Sequence, residues 1–259
     1  MITNSYQTFA NAGLNMAQIE YSGKTDIGLK RKNNEDSMII NPDLGFCLVA
    51  DGMGGAAAGD LASQIFALTS NSTFADYKGQ SEKETIEKIQ KSFYLSNQKI
   101  LEHVEENPLH KGMGCTAELL AFFNEGFVIG HIGDSRTYRF SSGKLEQLTI
   151  DHSFVQDQLD HGLITPEEAR NHHLRNLILR AVGIKENISL DLLRGKVSPG
   201  DLFLLCSDGL TDMVEDLRIE EILAKEDAIA YKNEQLIETA KSSGGKDNIT
   251  VVLARIKPE

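Results

Sequence analysis

Apolar positions along the chain follow two different periods. Between Ser81 and Glu105, Ile86, Ile89, Phe93, Ile100, Leu101 and Val104 recur at helical spacing among Glu, Lys and Gln, which predicts an amphipathic helix. Ser81 followed by Glu84 reads as a capping box at its start. A second helix is expected over Asp60–Phe74, with Leu61, Ile65, Phe66, Leu68 and Thr69 on its buried side. Short apolar runs bounded by turn residues predict strands instead. They fall at Gln18–Thr25, Ser37–Ile40, Phe46–Ala50, Cys115–Phe123, Gly126–Ile132, Arg136–Phe140, Lys144–Leu148, Ile188–Leu193, Leu202–Cys206 and Ile249–Ile256. Turn pairs such as Asn124-Glu125 and Ser142-Gly143 favour antiparallel hairpins. Two more helices are expected near Leu217–Ala224 and Ala228–Ser242, and a polar insert rich in His, Asn and Arg at Asp151–Ile184, with a helix start at Thr165-Pro166-Glu167-Glu168. Helices in pairs around antiparallel strands imply a layered α+β domain, not alternating βαβ units.

The 259 residues carry no Pro- or Ser-rich linker, so one domain is expected. A formal net charge of -12 argues against general binding to nucleic acid or anionic membranes, both of which require basic surface. No apolar stretch approaches the length of a membrane span. Met1 to Met16 lacks the basic start and apolar core of a signal peptide, and residues 1–17 are read as an N-terminal extension to a domain over 18–259. The three cysteines, Cys47, Cys115 and Cys206, lie in apolar runs without a CxxC spacing. Buried, reduced thiols of a cytoplasmic protein are the expectation. A compact chain without an association helix is expected to be a monomer.

Four segments share one design, an apolar run that meets an aspartate flanked by Gly or Ser. They are Phe46-Cys47-Leu48-Val49-Ala50-Asp51-Gly52, Phe127 to Asp134-Ser135, Leu202 to Ser207-Asp208-Gly209 and, in mirror order, Gly245-Lys246-Asp247-Asn248 before Ile249–Leu253. Singly, each is an ordinary turn; recurrence gives them force. Four carboxylates at converging strand ends are tolerable only with bound cations. Oxygen-only ligation selects Mg²⁺ or Mn²⁺ over zinc, and shared carboxylates suggest a pair of ions. The glycines of Asp51-Gly52-Met53-Gly54-Gly55 would let a backbone carbonyl such as that of Gly52 join the ligands.

In Lys30-Arg31-Lys32-Asn33-Asn34-Glu35-Asp36, Arg31 is a candidate clamp, because a guanidinium grips phosphate oxygens through two parallel hydrogen bonds. Glu35 and Asp36 are candidate proton acceptors for metal-bound water. No HExxH occurs among the seven histidines. His131, inside a strand, reads as a core residue, and His152 as a possible helix cap.

In order, Thr25 to Asp36, Asp51-Gly52-Met53-Gly54-Gly55, Met113-Gly114-Cys115-Thr116, Gly133-Asp134-Ser135-Arg136, Pro199-Gly200-Asp201 with Ser207-Asp208-Gly209-Leu210, and Lys246-Asp247-Asn248-Ile249-Thr250 resemble the metal-dependent serine/threonine protein phosphatases of type 2C, the PPM family, in its bacterial form. The resemblance spans residues 25 to 251. It implies a four-layer αββα sandwich, two central antiparallel sheets flanked by helix pairs. It also implies Asp51, Asp208 and Asp247 as side-chain ligands of two catalytic Mg²⁺ or Mn²⁺ ions, with the Gly52 carbonyl on the second. Asp36, with its neighbour Glu35, would hold a metal-bound water, Arg31 would bind the substrate phosphate, and Asp134 with Asp208 would form a third-ion site. Residues 153–184 would be the flap beside the active site. The implied activity is hydrolysis of phosphoserine and phosphothreonine on proteins by a metal-bridging hydroxide, opposing a serine/threonine kinase. Met53 stands where many eukaryotic members carry a histidine proposed as general acid, which leaves metal-bound water for that role. A pseudophosphatase or phosphoprotein-binding module is the alternative outside catalysis, and a small phosphate-ester hydrolase the alternative within it.

Overall fold

The computed structural model describes residues 18–54, 58–124 and 126–257. The expected extension over 1–17, together with Gly55 and Glu125 of the motifs above, lies outside them.

Each continuous apolar run is a strand buried on both faces, so alternate side chains enter different cores. In β3 (Phe46–Met53), Phe46, Leu48 and Ala50 join one cluster, and Cys47 and Val49 another. Strand β10 (Leu202–Cys206) divides in the same way, with Leu202, Leu204 and Cys206 on one side and Phe203 and Leu205 on the other. In β11 (Ile249–Ile256), Val251 and Leu253 face outward to helices while Val252, Ala254 and Ile256 face the opposite sheet.

The first sheet takes β1 (Ile19–Asp26), β11, β10, β7 (Arg136–Ser141) and β8 (Lys144–Gln147) in that order. The second takes β2 (Asp36–Asn41), β3, β5 (Ala117–Phe123), β6 (Gly126–Ile132) and β9 (Asp191–Lys196), and the two-residue β4 (Gly114–Cys115) adds to the end of β3. All neighbouring pairs are antiparallel. Helices α1 (Gly59–Thr73) and α2 (Glu82–Glu106) cover the second sheet through Phe66, Ile89, Phe93 and Ile100. Helices α6 (Asp216–Ala224) and α7 (Ile229–Ser242) cover the first through Ile219, Ile222, Leu236 and Ile237. Tyr21, Phe122, Phe127 and Phe203 fill the layer between the sheets. The expected four-layer α+β sandwich is the observed one.

Local departures have physical causes. The strand expected over Cys115–Phe123 breaks at Thr116, whose backbone N–H and hydroxyl both turn to Asp51. The strand expected at Ile188–Leu193 pairs three residues later, because Ile188 and Leu190 pack on the core as unpaired chain. At the start of α2 only half the capping box forms. Ser81 caps Glu84 N, whereas the Glu84 carboxylate accepts from Lys78 and Gln80. The insert contains α3 (Phe154–Asp160) and α4 (Pro166–Arg170), the latter with the complete Thr165–Glu168 box. Ser153, not His152, caps α3.

His131 is fully buried between Glu118 and the Ile150 carbonyl, which it meets at 2.9 Å, and Glu118 also accepts from the Thr137 hydroxyl. Burial would lower the His131 pKa, but the Glu118 carboxylate raises it to about 9. Burial also raises the Glu118 pKa, against the pull of His131. The shifts differ on which partner keeps the shared proton. With Nε2 against a carbonyl and Nδ1 against a carboxyl oxygen, the pair is neutral in sum either way.

Candidate active site

The side of β3 that carries Cys47 and Val49 into the inter-sheet layer also carries Asp51, so the apolar layer ends in a carboxylate. Directly across the β2–β3 ladder stands Asp36. The same end of the sandwich receives Asp134 from the β6–β7 turn, Asp208 from the short helix α5 (Asp208–Thr211) after β10, and Asp247 from the turn before β11. Antiparallel order thus gathers five carboxylates from both sheets.

Contacts between the neighbouring turns hold Asp51, Asp134 and Asp208. Thr116 N donates to Asp51 O at 2.9 Å, Asp51 N donates to Thr116 Oγ1 at 3.1 Å, and Thr116 Oγ1 bonds Ser135 Oγ at 2.7 Å. The motifs at 113–116 and 133–136 therefore lock Asp51 and Asp134 to one another. Gly133, at φ +117°, could carry no side chain, since a Cβ would lie 2.5 Å from that of Thr116. Gly209 is equally constrained, with a Cβ falling 1.9 Å from Asn248 O, which seats the Asp208 turn on the Asp247 turn.

Asp36 Oδ2 accepts from Ser207 Oγ at 2.8 Å and Thr250 Oγ1 at 2.6 Å. Asp36 Oδ1, Asp134 Oδ1 and Asp208 Oδ1 are buried without any hydrogen-bond partner. Arg31, half-exposed, donates from Nη2 to Asp247 Oδ2 at 2.6 Å. Glu35 lies beside the start of α1, where a Cβ on Gly59 would meet its Oε2 at 2.6 Å and the Gly52 carbonyl at 2.9 Å. All the sequence-predicted residues, Arg31, Glu35, Asp36, Asp51, Gly52, Asp134, Asp208 and Asp247, thus belong to this end of the molecule.

Burial first, and then the neighbouring carboxylates, push Asp51 and Asp208 well above the usual carboxylate range. Burial raises Asp36 to about 6 against its two hydroxyl donors. Burial together with Asp151 raises Asp134 to about 7. Burial raises Glu35 as well, against the pull of Arg31. Without cations such a cluster opposes folding whenever it is ionised. Each raised group contributes stability that is complete below its unfolded pKa and is lost as pH rises through the folded value. The chelated protein is therefore expected to lose resistance to urea between about pH 5 and pH 8, and saturating Mn²⁺ to abolish most of that loss. Urea midpoints across that range, with and without the ion, check this.

The donor chemistry fits hard divalent ions: carboxylate oxygens, three of them orphaned. Among the described residues, no three His, Cys, Asp or Glu side chains already converge as a closed cage. Asp247 is engaged by Arg31 and Asn248 N, and Asp36 by two hydroxyls.

Beside the cluster is a cleft of about 470 Å³, with Asp134 and Asp208 on one wall and Ser153, Gln156, Arg170 and Arg175 of the insert on the other. Asp212 also lines it, one helical turn after Asp208, its carboxyl raised by burial. Sequence reading missed Asp212, though the Asp208-to-Asp212 spacing places both on one helical face.

The family model for protein phosphatase 2C matches residues 30–253. The chain is 40% identical over 238 residues to the serine/threonine protein phosphatase PstP of Mycobacterium tuberculosis, covering 92% of this chain and 45% of that protein. It therefore spans less than half of that relative's length. It is 36% identical over 244 residues to protein phosphatase PhpP of Streptococcus pneumoniae, covering 93% of this chain and 99% of that one. Among solved structures, the PstP catalytic domain in complex with two manganese ions superposes with a TM-score of 0.85 at 38% identity, over 93% of this chain and 99% of that chain.

Proposed function

This chain belongs to the protein phosphatase 2C family, and from that premise we propose that it hydrolyses phosphoserine and phosphothreonine on proteins with divalent cations held by its aspartate cluster. The observation that carries the reading is the gathering of five buried or half-buried carboxylates at one end of the sandwich, three with an orphaned oxygen, beside one half-exposed guanidinium.

Asp51, Asp208, Asp247 and the Gly52 carbonyl would hold two Mg²⁺ or Mn²⁺ ions, and Asp134 with Asp208 a third. Support comes from the all-oxygen donor set and from the two manganese ions of the PstP catalytic domain. Bound there, the ions would supply an activated water nucleophile and charge stabilisation for direct attack on phosphorus. Asp36, fixed by Ser207 and Thr250, keeps one oxygen free to orient and deprotonate a water. Glu35 stands next to it. Arg31 swings between Asp247 and the substrate phosphate, neutralising oxygens that gain charge during transfer. Met53 cannot donate a proton, so the departing oxygen draws its proton from ordered water.

Residues 153–184 act as the flap that selects substrates across the cleft. The enzyme works as a cytoplasmic monomer against a serine/threonine kinase. Its three free, buried cysteines suit a reducing compartment, and among the described residues no helix is long and apolar enough to cross a membrane.

The test is phosphate release from a phosphothreonine peptide with Mn²⁺, Mg²⁺ or chelator, beside a phosphotyrosine peptide and a small phosphate ester. Release that requires the ion and favours phosphothreonine supports the reading. Equal turnover under chelation refutes it, and preference for the small ester would make the chain a general phosphomonoesterase.

A further inference from the structure

We propose that Asn248 is the positioning residue for Arg31, tying down both ends of the loop that carries the guanidinium. The inference rests on the phosphatase reading above. From Ile27 to Glu35 the chain crosses from β1 to β2 without a strand partner, and Arg31, Lys32 and Asn33 are exposed. Asn248, only 3% exposed, faces this loop from the opposite side. Its Nδ2 donates to Ile27 O at 3.1 Å and Asn33 O at 2.9 Å, and its Oδ1 accepts from Glu35 N at 2.9 Å.

These partners flank Arg31 on both sides in sequence. Their chemistry demands an amide. Two carbonyls need two N–H donors and one backbone N–H needs an acceptor, a set that a carboxamide satisfies and a carboxylate of the same shape does not. The backbone of Asn248 also donates to Asp247 Oδ1 at 2.8 Å, while Asp247 Oδ2 holds Arg31. The anchor itself has no room to move, because its carbonyl lies against Gly209 in the Asp208 turn. One residue thereby sets the Arg31 loop in register with the turns of Asp208 and Asp247. Other ties to the loop are single bonds: Leu29 N to Gly245 O at 2.7 Å holds its first half, and Asn34 Nδ2 to Thr25 Oγ1 at 2.7 Å joins its far end back to the end of β1.

A clamp displaced by an ångström loses much of its grip, so the effect belongs in phosphate binding. The experiment is a kinetic double-mutant cycle on the Mn²⁺-saturated enzyme with a phosphothreonine peptide, using wild type, Asn248→Ala, Arg31→Ala and the double variant. Asn248→Ala is expected to raise KM and the inhibition constant of inorganic phosphate about tenfold, with kcat changed less than about threefold. In the Arg31→Ala background the same substitution should change both by less than about twofold. Asn248→Asp, which keeps shape and acceptor but loses the donors, should match or exceed Asn248→Ala. It replaces Asn248→Ala in the cycle should that variant lack native circular dichroism. A loss confined to kcat, an undiminished effect without Arg31, or a wild-type KM for Asn248→Asp overturns the proposal. An inactive wild type would instead refute the phosphatase reading itself.

Discussion

Asp208→Asn is expected to lower metal-dependent phosphopeptide turnover by about 10³-fold or more, while the chelated variant melts a few degrees higher than wild type. The two effects share a cause. Burial first, and then Asp134, Asp212, Asp247 and Asp36, raise the Asp208 pKa, and its Oδ1 has no partner. Without cations that carboxyl must either ionise beside like charges or take up a proton, and an isosteric amide avoids both costs. With cations it is the proposed ligand shared between the catalytic pair and the third site, so its removal costs several kcal/mol of transition-state stabilisation. Melting curves with chelator and with Mn²⁺, beside turnover, check both halves. A purely structural role for Asp208 predicts the reverse in chelator, a lower melting temperature.

Arg31→Ala is expected to reduce kcat/KM about 10- to 100-fold, mainly through KM, with Mn²⁺ affinity unchanged or slightly tightened. The guanidinium is half-exposed and ion-paired to Asp247. Losing it would remove the proposed charge-assisted bonds to the phosphate and would free an Asp247 oxygen for the proposed ion. Arg31→Lys should recover only part of the loss, since an ammonium cannot present two parallel donors. Phosphate inhibition and Mn²⁺ titration calorimetry separate the two consequences. Mn²⁺ binding that weakens in step with KM would instead make Arg31 a structural support of the acidic cluster.

How much of this was legible in sequence depended on length scale. Strands such as Leu202–Cys206 were readable because both faces are buried, which leaves a continuous apolar run between Asp201 and Ser207. Helix α2 was readable from seven turns of periodicity. The four-residue helix α5 was not, being too short to show a period. Strand β9 was misplaced because Ile188 and Leu190 are buried without being paired, and hydropathy reports burial, not hydrogen bonding.

The candidate site divided similarly. Asp51, Asp134, Asp208 and Asp247 announce themselves as carboxylates closing apolar runs. Yet Asp51 lies within β3, held there by β4 and Thr116, so not all of the carboxylates sit at strand ends. Asp36 faces Asp51 through a register that only the β2–β3 ladder reveals. Asp212 sits just beyond a recognised motif and Asn248 within one, but their roles depend on what the fold brings opposite them: a cleft for one, the Arg31 loop for the other.

The central claim, that these aspartates hold catalytic divalent ions unequally, is tested most directly by anomalous diffraction from crystals soaked in Mn²⁺. The account predicts two strong peaks among Asp51, Gly52, Asp208 and Asp247, and a weaker third between Asp134 and Asp208 that disappears first as the soak is diluted. Peaks elsewhere, or a site at Asp134 that outlasts the pair, would contradict it.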